Sequence, residues 1–432
     1  MNTMLAVVGF GLIFVLVFVL LKGYVAPPVA FVSLPFIAAL ICGFSLNDIA
    51  GFLKGGMSSI MNTTILFVFS ISFFTLMGER GLFDPAINAL TRRVGNNVTL
   101  VLFAVAAASV IGHLDGSGST TYLIVIPAFL PLCKKLKIRP EAIFATMTCV
   151  LSFMNLIPWG GPTARAASVV GMETNEYFQV MLPRMAIMVV IAIVFIYIIA
   201  RNEKKHGAGV LDVSDTIVAS AVEERQKLDG KYFVNLFITI AMLVTLFIET
   251  GLPLYFIFMV SYVIALVVNY PNAKEQAKKI KDFGTNSVSM TVTLLSVGVF
   301  LGVLNNSGMM DNMASVIAAI VPSSIGSFML IIFALIAMIA FPCLGTDAFY
   351  FGYLPLVIGI VEPYGISPVV VATTFMMVSY TGILSPAIPA SYMAFGLLDI
   401  SYGDHVKYSA KYLIAASLIS LVAGVVTGFI PM

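Results

Sequence analysis

Charge is what this chain has least of. Only 10% of its 432 residues are Asp, Glu, Lys or Arg, against roughly a quarter in soluble globular chains. With 60% hydrophobic residues and a mean hydropathy of +1.03, this shortage excludes a soluble globule, which could not cover so much apolar surface. It leaves an integral membrane protein set in a lipid bilayer. The net charge of +2 is too small to argue for nucleic acid or an acidic partner. Histidine is scarce, and its 3 copies are too scattered for a metal cluster. The 4 cysteines, Cys42, Cys133, Cys149 and Cys343, sit in or beside apolar segments, at spacings that suggest neither a zinc site nor a disulfide framework. They read as small core residues. HExxH, GxSxG and phosphate-loop motifs are missing, which argues against a membrane enzyme. No Lys or Arg precedes Lys22, so the N-terminal apolar run reads as a retained first helix rather than a signal peptide.

What is present is apolar sequence in runs of roughly 20 residues, the length that crosses a bilayer. They fall near 4–22, 26–44, 59–77, 141–170, 178–200, 232–250, 253–270, 284–304, 367–397 and 408–430. The expected fold is an all-α polytopic membrane protein with about ten transmembrane helices. Residues 98–134 and 324–362 differ, because each has two apolar arms around a polar, glycine-containing centre. These read as re-entrant hairpins, since irregular backbone at that depth must be buried or line a cavity. Placing the base of the first hairpin in the cytoplasm puts every Lys and Arg there except Lys54, Arg165 and Arg184. The positive-inside rule selects that orientation, with both termini outside the cell membrane. Residues 201–231 become a solvated cytoplasmic linker.

The halves superimpose at a shift of about 228 residues. Pro127 meets Pro355, Pro140 meets Pro368, Pro158 meets Pro386, Tyr122 meets Tyr350 and Thr146 meets Thr374; slightly upstream, Gly81 meets Gly308 and Asp84 meets Asp311. Prolines fix bends, so three at one shift imply the same bends in both halves. Each half has five spans and one hairpin. The odd span count makes residues 1–200 and 232–432 inverted repeats, the build of secondary transporters.

Polar residues at membrane depth mark the candidate site. In "IGHLDGSGSTTY", beginning at Ile111, the first hairpin tip offers Asp115, Ser117, Ser119, Thr120 and Thr121, with Gly116 and Gly118. In "CLGTDAFYFGYLPL" the second tip offers Gly345, Thr346 and Asp347. Asp115 and Asp347 are candidates for the coupling ion or for a metal, since an intramembrane carboxylate is functional by default. Asp115 has an alternative reading as a cap on the arm that starts at Ser117. In "NLIPWGGPTARAASVVG" a span is interrupted at Pro158, Gly160, Gly161 and Pro162, then resumes with Thr163 and Arg165. A resumed helix presents free N–H groups and a positive dipole end to an anion, and Arg165 adds a fork that fits a carboxylate. Arg165 could instead snorkel outward or pair with a protein acid, and Trp159 could be packing, lid or anchor. Asn155 adds a donor to this break. The matching break, "GILSPAIPASYMAFG", offers Ser385 and Ser391. Two tips and two breaks are expected to converge at the midplane around a substrate.

At "LDGSGSTTY", "NLIPWGGPTARAA" and "GLFDPAINALTRRVG" the chain resembles the citrate–metal:proton symporter (CitMHS) family of the ion transporter superfamily. The resemblance implies proton-coupled import of citrate or a related di- or tricarboxylate, often as a complex with a divalent metal of the Mg or Ca type. It also implies an elevator-like mechanism and a homodimer. The chain departs from the family motif at Ser117, where many relatives carry an acid. No permanently bound cofactor is expected. A sodium-coupled dicarboxylate or gluconate-type carrier and an ion antiporter of the same superfamily remain alternatives.

Overall fold

A computed structural model describes residues 3–22, 24–209, 229–247, 252–320, 323–386 and 388–431. These residues are helical, with no strand among them. The first half contains α1 (Thr3–Lys22), α2 (Pro27–Ile41), α3 (Leu46–Glu79), α4 (Asp84–Arg93), α5 (Val98–Gly112), α6 (Gly118–Lys135), α7 (Pro140–Met154), α8 (Gly161–Val170) and α9 (Thr174–Lys205). The second contains α10 (Gly230–Phe247), α11 (Leu254–Asn269), α12 (Ala273–Asn306), α13 (Met309–Ile320), α14 (Ser323–Ala348), α15 (Leu354–Val361), α16 (Pro368–Met377), α17 (Pro389–Leu398) and α18 (Tyr402–Val426). A π-helical turn, Phe349–Tyr353, joins α14 to α15, and a tight turn, Ser379–Leu384, follows α16.

The stretches Thr3–Leu20, Leu46–Glu79, Thr174–Lys205 and Tyr402–Val426 are long and apolar enough to cross a bilayer alone; Phe328–Tyr364 matches them in length and apolarity but is divided at Gly345, with φ 71° and ψ 175°. The arms α5 and α6 have 15 and 18 residues, or about 22 and 27 Å of helix, short of a hydrocarbon core of about 30 Å. Two readings need adjustment. The runs at 59–77 and 284–304 are only the apolar parts of α3 and α12, each 34 residues long, because their polar first turns continue the helix unbroken. The expected linker starts late: α9 runs through Arg201 to Lys205, and the Gly209 amide donates to the Leu136 carbonyl at 2.8 Å. Residues 210–228 of that linker, 248–250 of the sixth expected span and residue 387 of the ninth lie outside the described residues. The short helices α4 and α13, of 10 and 12 residues, are too short to register as spans.

The two halves match element for element. Helix N-caps recur at the repeat shift: Ala26 and Pro253, Ser45 and Asn272, Arg139 and Ser367, Gly160 and Ile388, Glu173 and Ser401. Left-handed backbone recurs as well, at Gly81 and Gly308, Gly116 and Gly345, Lys137 and Gly365, Gly171 and Asp399. Proline and glycine spacing thus translates directly into where helices start and stop.

The counterparts α3 and α12 lie against each other and run in opposite directions, as inverted repeats require. The Asn306 amide donates to the Phe52 carbonyl at one end, and Lys279 pairs with Glu79 at the other. Between them the backbones nearly touch. A Cβ on Gly56 would sit 2.0 Å from the Gly298 carbonyl oxygen and 2.6 Å from the Gly302 Cα. Small residues permit such close helix contact where lipid removes any hydrophobic drive. Buried side chains of α1, α2, α12 and α13, with part of α3, form one apolar cluster. The hairpins, broken helices, α9 and α18, together with α10, α11 and the rest of α3, carry a second, larger one. Gly56→Val is expected to destabilise the protein by about 3 kcal/mol, the upper end of overpacking costs, because backbone cannot retreat as a side chain can. Circular dichroism melts in detergent check this, against an unaffected control at Gly51, which has open space around it.

Candidate substrate site

The first hairpin tip is built by local capping. The Ser117 amide donates to Asp115 Oδ1 at 2.8 Å, and the Ser117 hydroxyl accepts the Thr120 amide as N-cap of α6. Gly116 makes the turn with φ 70°. Asp115 thus accepts one backbone N–H across the turn, while Ser117 is the N-cap. Ser119 and Thr120 are half-buried in the first turn of α6, and Thr121 is fully buried beneath it. The second tip turns at Gly345, with φ 71° and ψ 175°, and presents Thr346 and Asp347.

The breaks are equally specific. A Cβ on Gly160 would lie 2.1 Å from the Asn155 carbonyl oxygen, so only glycine fits where the chain doubles back before α8. Trp159 is packing: it is buried, stacks on Phe74 and donates Nε1–H to the Leu114 carbonyl at 2.7 Å. That bond ties the break to the hairpin. Thr163 lies inside α8 with its hydroxyl buried and making no hydrogen bond among the described residues. Ser385 is buried at the end of the Ser379–Leu384 turn.

All four irregular segments meet around one cavity of about 250 Å³. Of the residues read from sequence, Gly116, Gly118, Asn155, Gly161, Pro162, Arg165, Thr346 and Ser391 line it. Asp115, Ser117, Ser119, Thr120, Thr121, Gly160, Thr163, Gly345, Asp347 and Ser385 are not among its lining residues. The segments join in a closed circuit. His113 of the first tip bonds to Asn155 of the first break. Arg165 of α8 bonds to Asp347 of the second tip through Nε and Nη2, both 2.8 Å from Oδ1. Gly382 of the second break sits under the Phe341 ring of the second hairpin, leaving a Cβ only 2.6 Å, and Gly118 lies against Ala390. Arg165 is 7% exposed and the Asp347 side chain 23%, so the acid is the wetter partner.

Sequence reading missed His113, Ser152, Phe341, Ser379, Tyr122 and Tyr350 as lining residues. The repeat held the signal. His113 and Phe341, Gly118 and Thr346, Tyr122 and Tyr350, Leu151 and Ser379, Asn155 and Ile383, Pro162 and Ala390 all line the cavity in pairs 228 apart. The cavity sits on the pseudo-twofold axis. Its first-half wall carries the histidine, amide and guanidinium, while the second-half partners are mostly apolar. Cys133 and Cys149 are buried as expected, but Cys343, beside the second tip, is exposed. Cys343 lies near the end of α14, two residues before the break at Gly345.

A helical membrane protein whose paired hairpins and broken helices enclose a charged cavity has the build of a secondary transporter. The chain belongs to the citrate transporter family, CitMHS, whose model matches residues 15–382. This is a family of transporters, not enzymes. The chain is 31% identical over 427 residues to the "Citrate transporter" of Bacillus subtilis (strain 168), covering 99% of this chain and all of that one. It is 29% identical over 431 residues to the "Mg(2+)/citrate complex secondary transporter" of the same organism, covering 99% of each. The Alcanivorax borkumensis YdaH transporter shares the fold, with a TM-score of 0.62 over 87% of both chains at 17% identity.

Trp159→Phe keeps a ring but removes the donor to the Leu114 carbonyl. It is expected to lower stability by about 1 kcal/mol, read by circular dichroism because Trp159 is the single tryptophan.

Proposed function

We propose that the protein imports citrate, or a related di- or tricarboxylate, as a complex with a divalent metal of the Mg or Ca type, by proton symport and an elevator-like movement. The Arg165–Asp347 pair carries this reading, because it joins the first repeat to the second at the cavity wall. Arg165 is the cavity's guanidinium, and Asp347 already balances its charge. An incoming carboxylate takes over the guanidinium fork and displaces Asp347. The released carboxylate, stripped of its cation, either accepts a proton or reaches the metal of the complex. Binding of anion and coupling ion are thereby one event. A free trianion suits a neutral pair poorly, whereas a divalent ion leaves citrate with a single net charge. The metal is cargo ligated by citrate. The α8 N-terminus at Gly161 adds amides to the same wall.

In this reading residues 1–200 and 232–432 are the two repeats, joined by a cytoplasmic linker that begins once α9 ends at Lys205, with both termini outside. The cluster containing the tips and breaks moves past the one containing α1, α2, α12 and α13, and two copies work as a homodimer. The homologue named for the Mg(2+)/citrate complex supports the cargo.

Counterflow of labelled citrate into proteoliposomes tests the substrate. Exchange is expected with Mg²⁺ or Ca²⁺ and no Na⁺. No exchange under any condition overturns the citrate assignment, exchange that needs Na⁺ replaces the proton, and equal exchange with a chelator removes the metal. Arg165→Ala is expected to abolish counterflow in a folded protein; unchanged exchange takes Arg165 out of the site. Asp347→Asn is expected to keep some exchange but lose accumulation driven by a pH gradient. Normal accumulation in that variant means another group carries the proton.

A further inference from the structure

We infer that Ile383 is a specificity residue for this site: with Phe341 and Ile388 it gives the second-repeat wall no group that can take a carboxylate, so that a tricarboxylate enters only after a divalent ion has drawn its charges together. This rests on the carboxylate reading of the site and adds to it the reason a metal is needed.

The asymmetry shows in the repeat. The first half carries an imidazole, an amide and a guanidinium at His113, Asn155 and Arg165. Shifted by 228, these become Phe341, Ile383 and Met393. His113, Asn155 and Arg165 line the cavity, and Phe341 and Ile383 line it opposite them. Ile388, the N-cap of α17, extends the same apolar surface. The polar groups that the second half does bring to the cavity are hydroxyls, those of Thr346, Tyr350, Ser379 and Ser391. Arg165 is the one permanent cation among the lining residues.

A free tricarboxylate points three negative groups in different directions. One of them takes the guanidinium fork. In a cavity of about 250 Å³, another is pressed toward the hydrocarbon of the second half. There it loses its water and gains neither a cation nor an amide, which strongly disfavours the charged form of the ligand. A divalent ion removes this conflict, because hard cations are ligated by carboxylate and hydroxyl oxygens. Two carboxylates are then neutralised by the metal and one is left for Arg165. The chelate turns methylene groups and little charge toward Phe341 and Ile383. The wall thus acts by rejecting the free anion and adds no attraction of its own for the metal, a recognised route to specificity.

Counterflow of labelled citrate into proteoliposomes is run with excess Mg²⁺ and, separately, with a chelator, and the two KM values are compared. Wild type is expected to favour the Mg²⁺ condition. Ile383→Asn gives the second wall the amide that Asn155 gives the first. It is expected to narrow the difference between the two KM values about tenfold or more, the worth of one hydrogen bond to a charged group, by lowering the KM for free citrate. Ile383→Val stays apolar and is expected to leave the difference as it was, which separates the chemistry of the wall from its packing. A folded Ile383→Asn protein with the wild-type preference overturns the inference and leaves the substrate reading standing. An Ile383→Val protein that narrows the preference equally does the same. Should Ile383→Asn not fold, Ile388→Asn, at a half-buried position on the same wall, carries the same expectation and the same refutation. A wild type with equal KM values in both conditions overturns the inference together with the role of the metal. A wild type that exchanges no citrate at all overturns the substrate reading and this inference with it.

Discussion

A backbone amide or carbonyl in hydrocarbon must find its hydrogen bond within the protein. Everything about this molecule follows from breaking that continuity four times and having to repair it in one place. Each break exposes helix ends that lipid cannot satisfy. The repair is mutual: the tips and breaks are enclosed by one another, so the irregular backbone faces partners and a small cavity. Ser117 and Asp115 close one turn, Trp159 reaches across to the Leu114 carbonyl, and His113 spans from tip to break. A binding site is then the by-product of sound chain chemistry, since the same amides and hydroxyls that must be satisfied are those able to hold an anion.

Symmetry explains how four such segments come to meet. One folded unit used twice, in opposite senses, places each tip near the other half's break. The cavity keeps the symmetry in its outline and discards it in its chemistry. Paired tyrosines, Tyr122 and Tyr350, survive on both walls, while His113 faces a phenylalanine counterpart and Asn155 an isoleucine. Charge has been gathered on the first repeat, and the second answers with one acid, Asp347, held by Arg165.

Much of this was legible in the residues. Prolines and glycines mark helix boundaries through local sterics, so the hairpins, the breaks and the repeat could be read from Pro127, Pro140, Pro158, Gly160 and their partners. Lengths of α3 and α12 could not, because polar turns beyond an apolar span look like loops until packing holds them helical. Within the site, Arg165 and Asn155 stood out through their cost in hydrocarbon. Pairing did not: nothing in sequence spacing says that Arg165 and Asp347, 182 positions apart, share a bond. His113 was passed over because a lone histidine carries no periodic signal, and its meaning lies in the two groups that flank its ring.

The touching backbones of α3 and α12 have a mechanical consequence. Where glycine meets glycine, a one-turn slip would drive a side chain into peptide, so this crossing has a single register and serves as a rigid spine. The proposed movement is then left to its ends, where the chain leaves each long helix through Gly81 and Gly308, both in left-handed backbone.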